Sequence, residues 1–222
     1  MIPIVDIEVD PRFPAKLAMG MPDAEDVDEE GYGFFRGVWA MGEVSYQEAV
    51  NMVDEERRFV DLVDQVSRTH SDFEAFAKAL EMTEHEYLPA EYKAQNPDSN
   101  LVRVIDESAE DIPPLDGLEL GVAGLSYALT SIGCFTAASC RSHYSDHSWS
   151  ERPVVFFAAE RSTVHWLTPL VSQSGCGFGD GSGHGERLLI IEAPSITNLM
   201  DLARRIVQLV RRQQPIKGPA GP

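Results

Sequence analysis

"CFTAASCRSHYSDHSWSERPVVFFAA", residues 134–159, is two apolar runs parted by a polar loop. The runs 134–140 and 152–159 have the length and the polar boundaries of short strands, and the second is dense in valine and phenylalanine. Upstream, Asp116-Gly117-Leu118-Glu119 puts acids where a helix dipole favours them. "LGVAGLSYALTSI" then reads as a helix running to Gly133, a residue suited to the positive φ of a C′ position. Downstream, 162–175 reads as a helix that Pro169 should kink or shorten, and "ERLLIIEA" (186–193) as a third strand. Ser195 then caps a last helix with Ile196, Leu199, Met200, Ala203, Ile206, Val207 and Val210 on one face. The order helix–strand–strand–helix–strand–helix predicts a two-layer α/β domain over 113–214, followed by a flexible tail at 215–222.

The first 112 residues read differently. "IPIVDIEV" (2–9) alternates like an opening strand, 20–33 is an acidic loop, and 34–41 is a second short strand. Helices then dominate. Ser45 and Glu48 form a capping box ahead of an apolar stripe from Ala49 to Val66. Ser71 and Glu74 suggest a second box, and Thr83 to Glu86 a short helix that Pro89 interrupts. The boundary is set near Pro113-Pro114. The fold class expected is therefore α+β, an acidic and mainly helical N-terminal module followed by the two-layer domain.

Charge divides along the same line. The net charge is −18, and residues 1–120 hold 29 acids against 9 Lys/Arg. Such a surface repels a phosphate backbone, so the N-terminal half is a poor nucleic-acid binder. Its natural partner would be a basic protein. No apolar run approaches the roughly 20 residues that span a bilayer. The acidic N-terminus does not read as a secretory signal, so a soluble, cytoplasmic protein without a membrane partner is expected.

Chemistry concentrates in the loop between the two quoted strands. Cys140, His143 and His147 follow a C-x2-H-x3-H spacing, with Asp146 among them. Thiolate and imidazole are good zinc ligands, and three on one loop would leave a fourth position for water. A second cluster at 175–187 offers Cys176, Asp180, His184 and Glu186, of which Cys176 and His184 are the candidate additional ligands. Without a metal, Cys140 would be a nucleophile activated by His143, His147 or Arg141, with Asp146 orienting a histidine. The bland alternative is a solvated polar turn in which Cys140 merely ends a buried strand. The glycines alternating from Gly175 to Gly185 lead into a strand and not a helix, so they read as a flexible connection, or at most as a flap over the Cys140 loop.

The stretch from Phe135 to Gly177 also resembles part of the family that methylates wybutosine precursors in tRNA. Thr136-Ala137-Ala138-Ser139-Cys140 matches that family's Thr-x-Ser-Cys segment in outline, and a strand, a helix and a glycine-rich return follow in the same order. Arg141-Ser142-His143 stands where the family has Ser-Gly-Arg. The resemblance implies S-adenosylmethionine, an RNA substrate, and Ser139 and Cys140 in the site. Three readings thus stand side by side: a small enzyme with a metal or thiol site, its cofactor open and zinc the candidate; an acidic, immunity-like or accessory partner-binding protein without catalysis; and a nucleic-acid-modifying methyltransferase-like protein.

Overall fold

A computed structural model describes residues 1–13, 16–28, 31–36, 41–108, 113–143 and 150–213. The chain opens with three two-residue strands, β1 (Val27–Asp28), β2 (Gly31–Tyr32) and β3 (Phe35–Arg36), paired antiparallel in that order. Helices α1 (Tyr46–Val66), α2 (His70–Met82), α3 (Tyr92–Gln95) and α4 (Asn100–Glu107) follow, with a 3-10 turn at His85–Tyr87. The remainder is α5 (Ala123–Ser131), β4 (Phe135–Cys140), β5 (Val154–Ala158), α6 (Arg161–Ser174), β6 (Gly177–Asp180), β7 (Leu189–Glu192) and α7 (Ile196–Gln213). The fold is α+β, with α1 to α5 preceding the four-stranded sheet. No helix among the described residues is long and apolar enough to cross a membrane.

Local chemistry accounts for most boundaries. Ser45 Oγ accepts from the Glu48 amide at 3.3 Å while Glu48 Oε2 accepts from the Ser45 amide at 2.7 Å, closing the expected box. The second box lies two residues earlier than Ser71. Thr69 Oγ1 and the Asp72 amide are 3.0 Å apart, and the short Asp72 carboxylate reaches back to the Thr69 amide. Pro169 does not end its helix, which runs through it to the left-handed Gly175.

Three sequence expectations change. Residues 2–9 form no ladder strand. The Ile7 amide turns back to Val5 O at 3.1 Å, the Val5 amide bonds Pro194 O, and the Phe178 amide reaches Asp10 O at 2.9 Å. Helical structure before β4 starts at Ala123 and not at Asp116, because Asp116, Gly117 and Gly121 all take positive φ (52°, 78° and 94°) and break the repeat. The glycine-rich run contains a strand, β6, so the larger sheet has four strands in the order β4-β5-β7-β6, all antiparallel. Glycine is needed there: a Cβ on Gly177 would lie 2.8 Å from the Asp10 amide nitrogen and from Val9 Cβ. Of the expected second strand at 34–41, Phe35–Arg36 is β3, and 37–40 lie outside the described residues.

Both faces of this sheet are covered. On β5, Val155 and Phe157 join the core against α5, α6 and α7, while Val154, Phe156 and Ala158 pack with Tyr32 and Leu188 on the opposite face. Burying side chains of this size contributes about 1.5–3 kcal/mol each. The apolar stripe of α1 packs on α5 and α7, and a further core gathers Phe59, Val63, Phe73, Leu80, Leu101 and Ile105 from α1, α2 and α4. The N-terminal helices thus roof the start of α5, and this placement builds the site.

Candidate functional site

The site forms where the end of β4 meets the turn before α5 and one face of α2. Cys140 is the last residue of β4 and fully buried. Ser142 takes a left-handed φ of 67°, and its amide points at Cys140 Sγ at 3.4 Å. That tight turn brings His143 back toward the cysteine.

His143 is held between two carboxylates. Its Nδ1 lies 3.1 Å from Glu74 Oε1 and its Nε2 lies 3.0 Å from Glu119 Oε1. A hydrogen bond with Cys140, then those with Glu119 and Glu74, raise the imidazole pKa to about 11, against the opposing effect of burial. Without a metal the ring is therefore an imidazolium at neutral pH. Burial works to raise the Glu119 pKa, but the bonds from His143 and the Arg141 amide outweigh it and hold the carboxyl below its ordinary value.

The turn at 119–121 is gripped residue by residue. Glu119 Oε2 accepts the Arg141 amide at 2.7 Å. Glu81 Oε1 accepts the Leu120 amide at 2.7 Å and Arg141 Nε at 2.9 Å. Glu56, buried in the apolar stripe of α1, accepts the Gly121 amide at 2.9 Å. Burial raises the Glu56 pKa to about 7, although amides at the start of α5 pull it down. Glu74 and Glu81 lie two helical turns apart on α2, which sets both carboxylates on one face. Arg141 is itself buried, so its charge depends on Glu81 as partner.

One oxygen of Glu119, Sγ of Cys140 and one nitrogen of His143 lie within 4.8 Å of one another. Ligand atoms around a tetrahedral zinc, with bonds of about 2.0–2.3 Å, sit on the order of 3.3–3.8 Å apart. The three side chains are thus already close to the spacing an ion would impose. With Nε2 turned to an ion beside Glu119, Nδ1 keeps Glu74 as its partner, the carboxylate–histidine support common at metal sites.

Of the residues expected from sequence, Cys140 and His143 come together, while Asp146 and His147 lie outside the described residues. Strand register puts the others elsewhere. Cys140 is aligned through Val154 and Glu192 with Gly177, so Cys176 is at the same sheet end but three strands away, about 14 Å by inter-strand spacing. It is fully buried, and burial raises its thiol to about 12. Asp180 is at the opposite sheet end, aligned through Leu189 and Phe157 with Thr136, and it accepts the Ser182 amide. His184 stacks on Phe35 at 5.5 Å, and Glu186 O accepts the Tyr32 hydroxyl. The glycine-rich run therefore packs on β1–β3, where a Cβ on Gly33 would sit 2.2 Å from His184 O, and it does not cover Cys140.

Sequence reasoning missed Glu74, Glu81 and Glu119 as site residues. Their only signals were two acids seven apart on one helix and an acid before α5, both ordinary features of a solvated surface. Glu119 also borders a mostly apolar cavity of about 240 Å³, whose walls include residues 136–139 of β4. Comparisons with protein families, curated proteins and solved structures give no match.

Proposed function

We propose that this chain is a zinc-type metalloprotein with Glu119, Cys140 and His143 as its ligands, and that Lewis-acid chemistry, hydrolysis foremost, is its activity. The observation that carries the reading is the convergence of the three ligand atoms within 4.8 Å from two separate segments. A carboxylate, a thiolate and a neutral imidazole together balance a divalent charge. Three protein ligands leave a position for a water or a substrate oxygen, which the ion would polarise.

The complete burial of Cys140 favours this over a nucleophilic thiol. A nucleophile must meet its substrate directly, whereas a ligand needs only to meet an ion. Glu119 and His143 are the more exposed members, with side chains 29% and 22% accessible, so the solvent-facing side of the group is theirs.

Native mass spectrometry tests the reading on full-length protein purified without chelator or histidine tag. One zinc per chain is expected, lost in Cys140→Ser and in His143→Ala while circular dichroism stays native. A protein that takes up no zinc when titrated to excess, or that keeps its ion in both variants, overturns it.

A further inference from the structure

Glu56 is a carboxylate inside an apolar stripe. It lies on α1 among Met52, Val53, Phe59 and Val60, and it is 1% exposed. A charge so placed needs partners. It finds them at the start of α5, where the Gly121 amide donates at 2.9 Å and the amides of Ala123 and Gly124 also donate. The chain is shaped to admit it: Gly121 takes a φ of 94°, and a Cβ on Gly124 would lie 2.6 Å from Glu56 Oε2. The charged side chains of the surrounding elements are engaged elsewhere. On the turn, Glu119 holds His143 and the Arg141 amide, and Asp116 accepts the Tyr127 hydroxyl. On α2, Glu74 faces His143 while Glu81 holds Arg141 and the Leu120 amide. On α7, Asp201 pairs with Arg204 and Arg205, and on α1 itself Glu55 pairs with Arg58. The charges of α4, Arg103, Asp106 and Glu107, are exposed, and α5 carries none. Among the described residues Glu56 therefore meets amide donors only.

That geometry admits two states. An ionised carboxylate accepts all these amides but is a charge without water. A protonated one suits the apolar stripe yet brings an O–H among N–H donors, so at least one amide loses its acceptor. Burial and the amides oppose each other, and the balance falls at a pKa of about 7. Gly121 is two residues from Glu119, so releasing its amide frees the turn that presents the Glu119 carboxylate to His143. We propose that Glu56 is a proton-operated latch: ionised, it locks the turn at 119–121 onto α1, and protonated, it lets the turn go. Its effect on zinc rests on the metal reading above; the latch itself does not.

The experiment uses metal-free full-length protein, wild type beside Glu56→Gln. Glutamine keeps one acceptor and puts an NH2 donor where the acid would put its O–H, so the variant stands for the protonated state at every pH. NMR follows the Gly121 and Ala123 amides. In the wild type both resonances are expected to titrate together with a midpoint at about 7. Protection of the Gly121 amide against hydrogen exchange, corrected for intrinsic rate, is expected to be about tenfold higher at pH 8.5 than at pH 6, because a charged acceptor binds an amide more strongly than a neutral one. In Glu56→Gln both readouts are expected to be flat, at the wild type's low-pH level. Zinc is then titrated into both proteins. The wild type is expected to bind it several-fold more tightly than the variant at pH 8.5, with the gap closing at pH 6.

Amide resonances that stay fixed in the wild type, equal protection at the two pH values, or the same titration in Glu56→Gln would overturn the latch whatever the zinc content. If the variant does not fold, the wild-type titration and exchange decide the matter alone. Equal zinc affinity of the two proteins at pH 8.5 would overturn the latch's hold on Glu119. The amide titration without zinc uptake by either protein would leave the latch standing and sink the metal reading.

Discussion

Glu119 accepts the backbone amide of Arg141 at 2.7 Å, which ties the carboxylate facing His143 to the residue that follows Cys140. The turn before α5 and the end of β4 are thereby one unit. A change in either should be felt at Glu119, Cys140 and His143 together, and the surrounding carboxylates become levers on their geometry.

Glu119→Gln keeps an acceptor for the Arg141 amide but removes a negative charge from His143. Zinc affinity is expected to fall about 10–100-fold or more, since a ligand is lost. In metal-free protein the imidazole of the wild type should stay protonated across pH 5–9, because its pKa is held near 11. In the variant that pKa should move down. NMR titration of the ring reads this directly, and a wild-type His143 titrating near 6.5 would contradict it.

Zinc binding should release protons. A raised histidine pKa means the folded apoprotein holds this proton, and the stability it confers is complete below about 6.5 and lost as pH rises through about 11. Coordination must displace the proton from the ligating nitrogen, so zinc affinity should weaken as pH falls. Calorimetry in buffers of different ionisation enthalpy is expected to show at least one proton released per ion at pH 7. Equal heats in all buffers would count against it.

Glu81→Ala leaves Arg141 as a buried charge without its partner and the Leu120 amide without its acceptor. A loss of about 3–5 kcal/mol is expected, the usual scale for breaking one side of a buried pair. Urea unfolding measures it. A loss under 1 kcal/mol would mean that Arg141 finds water or another carboxylate instead.

Glu56 gives a pH signature of opposite origin. Burial raises its pKa to about 7, so the folded state binds its proton more tightly than the unfolded chain does. The stability linked to that proton is complete below the unfolded value near 4.3 and is lost as pH rises through about 7. Wild-type stability minus that of Glu56→Gln should therefore fall between pH 5 and 8. A flat difference would show that Glu56 is ionised throughout.

Gly121→Ala should destabilise on two counts. The residue sits at φ 94°, and a Cβ there would lie 2.5 Å from Ile196 Cβ. A cost above about 1 kcal/mol is expected from the backbone alone. A thermal melt unchanged from wild type would show that the turn relaxes freely.

The sequence by itself determined what depends on neighbours along the chain. The apolar stripe of α1 behind Ser45, the paired strands at β4 and β5 and the last amphipathic helix were legible because period and capping chemistry are local. Cys140 and His143 stood out for the same reason: three residues apart, they share one turn. The tertiary structure alone decided the rest. Glu74 and Glu119 reach His143 across 69 and 24 residues of chain, and no spacing rule connects them. Cys176 looked like a partner in composition, but strand register set it three strands from Cys140. Gly177 looked flexible, yet close approach of residues 9 and 10 makes it part of a strand. Glu74 and Glu119, read along the chain as a capping-box acid and a first-turn acid, meet at His143 because packing α1 and α2 over the start of α5 removed water from around them, and a buried charge must find its partners wherever the fold has put them.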